Sequence, residues 1–140
     1  MRNPDVDTIS RPRRSANMRR IKSKDTKPEM AVRRLIHGLG YRYRLHCHDL
    51  PGKPDLAFAN RRKAIFVHGC FWHQHGSCVD SHIPKSRRAY WVPKLQNNRK
   101  RDIENYHRLR DLKWKYLVLW ECEMENPKSL KKKIEKFLSP

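Results

Sequence analysis

Two unbroken apolar runs, Ala64-Ile65-Phe66-Val67 and Tyr116-Leu117-Val118-Leu119-Trp120, constrain this chain more than any other feature. Runs this short, with no polar alternation, read as strands buried in one sheet. Helical patterns accompany them. Thr26-Lys27-Pro28-Glu29 opens a helix, with Thr26 as cap, Pro28 in the first turn and Glu29 completing a capping box. Val32, Leu35, Ile36 and Leu39 follow at the helical period, and Gly40 is a natural stop. A basic stretch around residues 94–112 carries Leu95, Ile103, Tyr106, Leu109 and Leu112 as its expected inward face. Pro127 opens a last helix with Leu130, Ile134, Phe137 and Leu138.

Between the helices, Tyr41, Tyr43 and Leu45 alternate with Arg42, Arg44 and His46, a strand pattern with one basic face. Leu50-Pro51-Gly52-Lys53-Pro54 is a turn, and Asp55-Leu56-Ala57-Phe58-Ala59 a short strand closed by the turn Asn60-Arg61-Arg62-Lys63. The order is helix, three strands, a loop, helix, strand, helix. It predicts an α/β domain over residues 25–140, with functional loops at the strand ends and a basic arm over residues 1–24.

Charge sets the partner. Lys and Arg number 33 against 14 acidic residues, a net charge of +19. Such an excess repels itself and is relieved by a polyanion, with nucleic acid the first choice because phosphate contacts release counterions. No apolar stretch of about 18 residues is present, which excludes a membrane helix. The opening Met1-Arg2-Asn3-Pro4-Asp5 lacks the apolar run of a secretory signal, so a cytoplasmic protein is expected, associated with the nucleoid when on DNA. In that setting Cys47, Cys70, Cys78 and Cys122 are expected as metal ligands or buried thiols, not disulfides.

The loop after the first apolar run concentrates chemistry: His68-Gly69-Cys70-Phe71-Trp72-His73-Gln74-His75-Gly76-Ser77-Cys78. Three of its thiol and imidazole groups with Cys122 would make a Cys₃His zinc site; counting alone leaves His73 and His75 open as the ligand. Asp55 is the best-placed carboxylate for a hard cation, and a histidine is the default base for activating water. Asp102 lies in Arg99-Lys100-Arg101-Asp102, where a solvated ion pair is the ordinary reading. Phe71, Trp72 and Trp91, on a basic background, can stack on bases or wedge between them. Trp114 and Trp120 are expected in the core.

Several segments together resemble the very-short-patch repair (Vsr) endonucleases. They are Arg14-Ser15-Ala16-Asn17-Met18-Arg19, Asp25-Thr26-Lys27-Pro28-Glu29, Leu50-Pro51-Gly52-Lys53-Pro54-Asp55, Phe66-Val67-His68-Gly69-Cys70-Phe71-Trp72-His73, Arg101-Asp102 and Val118-Leu119-Trp120-Glu121-Cys122. The resemblance implies a restriction-endonuclease-like fold, a mixed central sheet flanked by helices with a structural zinc site. It implies an enzyme that nicks duplex DNA 5′ of the thymine in a T:G mismatch left by 5-methylcytosine deamination. Asp55 would bind catalytic magnesium with the Val67 backbone carbonyl. His73 would be the general base, supported by Glu29, with His68 and Asp102 assisting. Zinc would be held by Cys70, His75, Cys78 and Cys122. Phe71, Trp72 and Trp91 would form the intercalating wedge, and Met18 would enter from the opposite groove. The implied partners are double-stranded DNA with a T:G mismatch and other mismatch-repair proteins, met by a monomer. This chain carries Val67 where members of that family carry Thr, and its Gln74–Cys78 stretch is one residue longer. Two other readings compete: a restriction-like nicking enzyme with a different target, and a non-catalytic zinc-stabilised DNA-binding module.

Overall fold

The computed structural model describes residues 26–76, 83 and 85–140. The N-terminal arm with Met18, and Cys78 at the end of the histidine-rich loop, lie outside the described residues. Among the described residues, three α-helices, α1 (Lys27–Gly38), α2 (Arg88–Asp111) and α3 (Pro127–Leu138), surround four strands: β1 (Arg44–Leu45), β2 (Leu56–Phe58), β3 (Lys63–His68) and β4 (Lys115–Trp120). The sheet runs in chain order. The first two pairings are antiparallel and β3–β4 is parallel, so the sheet is mixed as expected. A parallel neighbour cannot be reached by a hairpin, and α2 with its flanking loops is the crossover between β3 and β4.

The apolar runs are unbroken because helices cover both faces. On one face Val32 and Ile36 of α1 and Leu130, Ile134 and Leu138 of α3 pack on Leu56, Phe58, Ile65 and Leu119. On the other, Phe66 meets Tyr106 of α2 and Tyr116 of β4 at ring separations of 5.5 and 6.4 Å. Along β3, Ile65 and Val67 therefore face α1 and α3 while Phe66 and His68 face α2. That period of two aims His68 into the layer beneath α2.

Three expectations are corrected. Only Arg44 and Leu45 of the first alternating segment join the sheet, and both side chains are exposed; Tyr41 and Tyr43 instead pack against the core. The basic helix begins at Arg88, with Pro93 inside it. Its inward stripe is Trp91, Leu95 and Leu109 with half-buried Tyr106, while Ile103 is 46% and Leu112 50% exposed. Helical phase explains this: at about 100° per residue, Ile103 turns out by about 80° from Leu95 and Leu112 by about 100°. Trp114 and Trp120 are half-buried, not core.

The turn before β2 depends on Gly52. It has φ of 79°, and a Cβ there would stand 3.0 Å from Phe66 Cε1 and 3.1 Å from Asn105 Cβ. Gly52→Ala should therefore cost about 1–3 kcal/mol through left-handed strain and a clash with a packed ring. A lower urea midpoint with an unchanged m-value is the expected readout; an unchanged midpoint would contradict it.

Candidate active site

The site forms where the leading end of β2 and the C-terminal end of β3 lie side by side. Asp55 immediately precedes β2, and its Oδ2 accepts the Val67 amide N–H at 2.7 Å. The contact seen with Val67 is thus through its amide nitrogen. The His46 N–H donates to the Asp55 carbonyl at 3.0 Å, so the ladder continues past β1 and brings His46 to the same corner. Glu29, in the first turn of α1, is only 2% exposed. Thr26 Oγ1 caps its amide, but its carboxylate is turned inward onto Arg33 and onto His46 Nε2 at 2.9 Å. Donor atoms of Glu29, His46 and Asp55 all lie within 4.8 Å of one another.

A carboxyl withdrawn from water beside a second one does not ionise freely, and Asp55 is in that position. Burial above all, and then the Glu29 carboxylate, push the Asp55 carboxyl up from its usual 3.8 to about 6 against the opposing Val67 N–H bond. A buried carboxyl of this kind is a ready ligand for a hard divalent cation, which would relieve both repulsion and desolvation. His46 was missed by sequence reasoning. Its place in an alternating basic strand suggested a solvent-facing side chain, whereas a φ of 47° takes it out of strand geometry.

Beside this corner stands a second group, His68, His73 and Asp102. The His68 and His73 rings are stacked, with centroids 3.6 Å apart and planes 6° from parallel. Burial first, and then the charge of His73, push His68 down to about 2, so its ring is neutral and serves as a flat support. His73 Nδ1 lies 2.6 Å from Asp102 Oδ2. A carboxylate only accepts, so Nδ1 carries the hydrogen and Nε2 is the nitrogen left for proton exchange. Asp102 comes from α2, and its phase betrays it: at about 100° per residue it falls within about 20° of both Leu95 and Leu109. The orienting partner of His73 is therefore Asp102, whereas Glu29 belongs to the Asp55 corner. A cleft of about 480 Å³ opens over His73 and Asp102, with Lys53, Arg101 and Arg108 in its walls.

One tight turn separates the loop's roles. The His73 amide bonds the Gly69 carbonyl and the His75 amide bonds the Cys70 carbonyl, which sends the two imidazoles to different sides. His75 Nδ1 lies 3.7 Å from Cys70 Sγ and 3.5 Å from Cys122 Sγ. Tetrahedral zinc with bonds of about 2.3 Å to sulfur and about 2.1 Å to nitrogen sets these groups about 3.6 Å apart, so the three fit that ion. The His75 ring stacks on Trp120, centroids 4.2 Å apart, and Trp120 in turn meets His68 edge-on.

The aromatic residues behave differently from expectation. Phe71 and Trp91 are 1% and 3% exposed, packed with Leu95, while Trp72 is partly open. The three rings meet edge to face at 5.2, 5.2 and 5.7 Å, a geometry that shields them from water as one unit. The Trp91 indole N–H has no partner among the described residues.

Phosphodiester hydrolysis needs oxygens to neutralise the phosphate through a cation, a fixed base for water, and a basic cleft for the substrate. The paired carboxyls, the Asp102–His73 couple and the cationic walls meet those needs, and the class they define is the nucleases. A sequence profile described as "DNA mismatch endonuclease Vsr" matches residues 6–79. The "Type II nicking enzyme V.XorIIP" of Xanthomonas oryzae pv. oryzae is 46% identical over 96% of this chain and 98% of its own length. The "Type II nicking enzyme V.NmeAIP" of Neisseria meningitidis is 38% identical over 95% and 94%. The "DNA mismatch endonuclease Vsr" of Escherichia coli is 37% identical over 89% and 80%. The chain belongs to the Vsr family of DNA endonucleases. No helix among the described residues is long and apolar enough to cross a membrane.

Proposed function

We propose that this endonuclease nicks duplex DNA at a T:G mismatch, 5′ of the mispaired thymine, with magnesium as catalytic cofactor and zinc as a structural brace. The observation that carries the reading is the pairing of His73 with Asp102 beside the Asp55–Glu29 corner. Asp55 would hold the magnesium ion, which when bound supplies positive charge to the phosphate oxygens. Through Nδ1, Asp102 keeps the His73 tautomer that leaves Nε2 able to take a proton from water. The water oxygen bonds to phosphorus as one ester oxygen leaves and takes up a proton. His68, neutral and stacked, limits the swing of the His73 ring. Cys70, His75 and Cys122, with Cys78 as fourth ligand, would hold zinc and so fix the loop that carries His73. Lys53, Arg101 and Arg108 suit the phosphates on either side of the cut.

Phe71, Trp72 and Trp91 would enter the duplex as a group, favoured where a mispair stacks poorly. The buried Trp91 N–H, which meets no acceptor among the described residues, supports this, because an unmet buried donor costs about 1–3 kcal/mol and duplex DNA offers acceptors. A second reading, a nicking enzyme with another target, is favoured by the names of the relatives from Xanthomonas oryzae and Neisseria meningitidis.

A supercoiled plasmid with one T:G mismatch should be nicked in the presence of magnesium, and the T:A control left intact. His73→Ala should slow the reaction by about 10²–10⁴-fold, the range for a lost general base, with binding retained. Equal cutting of both plasmids would favour the second reading. An unaffected His73→Ala rate would remove the base assigned here.

A further inference from the structure

Tyr90 stands at the outer edge of the aromatic unit, in the first turn of α2, and is 50% exposed. Its ring meets Trp91 edge-on with centroids 4.8 Å apart, so it extends the Phe71–Trp72–Trp91 unit into solvent. Two cations flank it: the Arg87 guanidinium lies 5.0 Å from its centroid and the Lys94 ammonium 5.6 Å. Lys94 is shared, at 5.8 Å from the Trp72 ring and 6.0 Å from the Trp91 ring. An exposed ring bracketed by cations is not a core device. Its surroundings combine an exposed aromatic ring with two positive charges within 6 Å, the chemistry that grips an unstacked base and its phosphates. The Trp91 N–H, which has no partner among the described residues, is a second sign that this corner can take an acceptor.

We infer that Tyr90 is a DNA-contact residue, stacking on a base of the bound duplex while Arg87 and Lys94 take the adjoining phosphates. The inference rests on the DNA-nicking reading and adds a fourth aromatic to it, one already exposed before DNA arrives. Lying outside Trp91 on the solvent side of the aromatic unit, Tyr90 meets a base flanking the mismatch, not the mispaired thymine itself, and contributes to grip and register.

The test uses the full chain and duplexes carrying 2-aminopurine, one position at a time, within about seven steps of a T:G mismatch, with matched T:A duplexes beside them. Wild-type protein should change the fluorescence at one flanking position. Tyr90→Ala should abolish that change and weaken binding about tenfold, the scale of one lost base stack. Tyr90→Phe should keep both. Melting temperatures of the variants, matched to wild type, separate contact from folding. If Tyr90→Ala binds within twofold of wild type and leaves the fluorescence unchanged, the inference is overturned while mismatch nicking stands. If wild type treats T:G and T:A alike but Tyr90→Ala weakens both, the mismatch reading fails and the Tyr90 contact holds.

Discussion

Asp55→Asn should stop nicking and make the protein more stable. The sign follows from protonation: at about 6, Asp55 keeps its proton in the folded chain at pH values where the unfolded chain, near 3.8, has released it. Stability from this group is therefore whole below about pH 4 and lost as pH rises through about 6, since the folded state is the one that binds more protons. At pH 7.5 the wild type carries a carboxylate that burial and Glu29 both disfavour. Asparagine copies the protonated form: its oxygen still accepts the Val67 N–H and its amide can donate to Glu29. The gain should be about 1–3 kcal/mol at pH 7.5, at about 1.4 kcal/mol per pKa unit, and should vanish near pH 4. Activity should fall at least about a thousandfold, since an amide does not replace a carboxylate toward a hard cation. Urea titrations at the two pH values with a nicking assay check both halves. A destabilised Asp55→Asn protein at pH 7.5 would mean that Asp55 is a satisfied anion held by its neighbours.

Removal of the zinc proposed for Cys70, His75 and Cys122 should have the second large effect. Cys70, His75 and Cys122 come from the loop after β3 and the turn after β4, so an ion among them ties two segments that are distant in sequence. The same loop carries His73 and Trp72, and Trp120 links His75 to His68 by ring contacts. Chelation, or Cys70→Ala, should lower the melting temperature by about 10 °C or more and abolish nicking, because structural zinc contributes folding free energy directly. Atomic absorption should find one zinc per chain before chelation. A zinc-free protein that melts and nicks like the native one would show the thiols to be ordinary buried side chains.

What the sequence revealed and what it hid have physical causes. Ala64–Val67 and Tyr116–Trp120 were legible because a sheet covered on both faces leaves no polar alternation. Helices α1 and α3 were legible because each buries one stripe. Strand β1 was overread: alternation of Tyr and Arg fits a segment that packs beside a sheet as well as one that joins it. Within the candidate site, residue type at strand ends pointed to Asp55, His68 and His73 as candidates. Which of His73 and His75 lies beside the thiols was not fixed by spacing, since only the turn from Gly69 to His75 sends the two imidazoles apart. Asp102 was obscured by its cationic neighbours, although its phase with Leu95 and Leu109 carries the signal. The burial of Phe71 and Trp91 could not be read locally, because Leu95 and the rings themselves supply the cover.

The most direct test of the central claim is single-turnover cleavage of an end-labelled duplex with one T:G mismatch, each strand labelled in turn, with magnesium. One cut is expected, on the thymine strand, immediately 5′ of the mispaired thymine, and none in the T:A duplex or with His73→Ala. Cuts on both strands, or at a position indifferent to the mismatch, would contradict it.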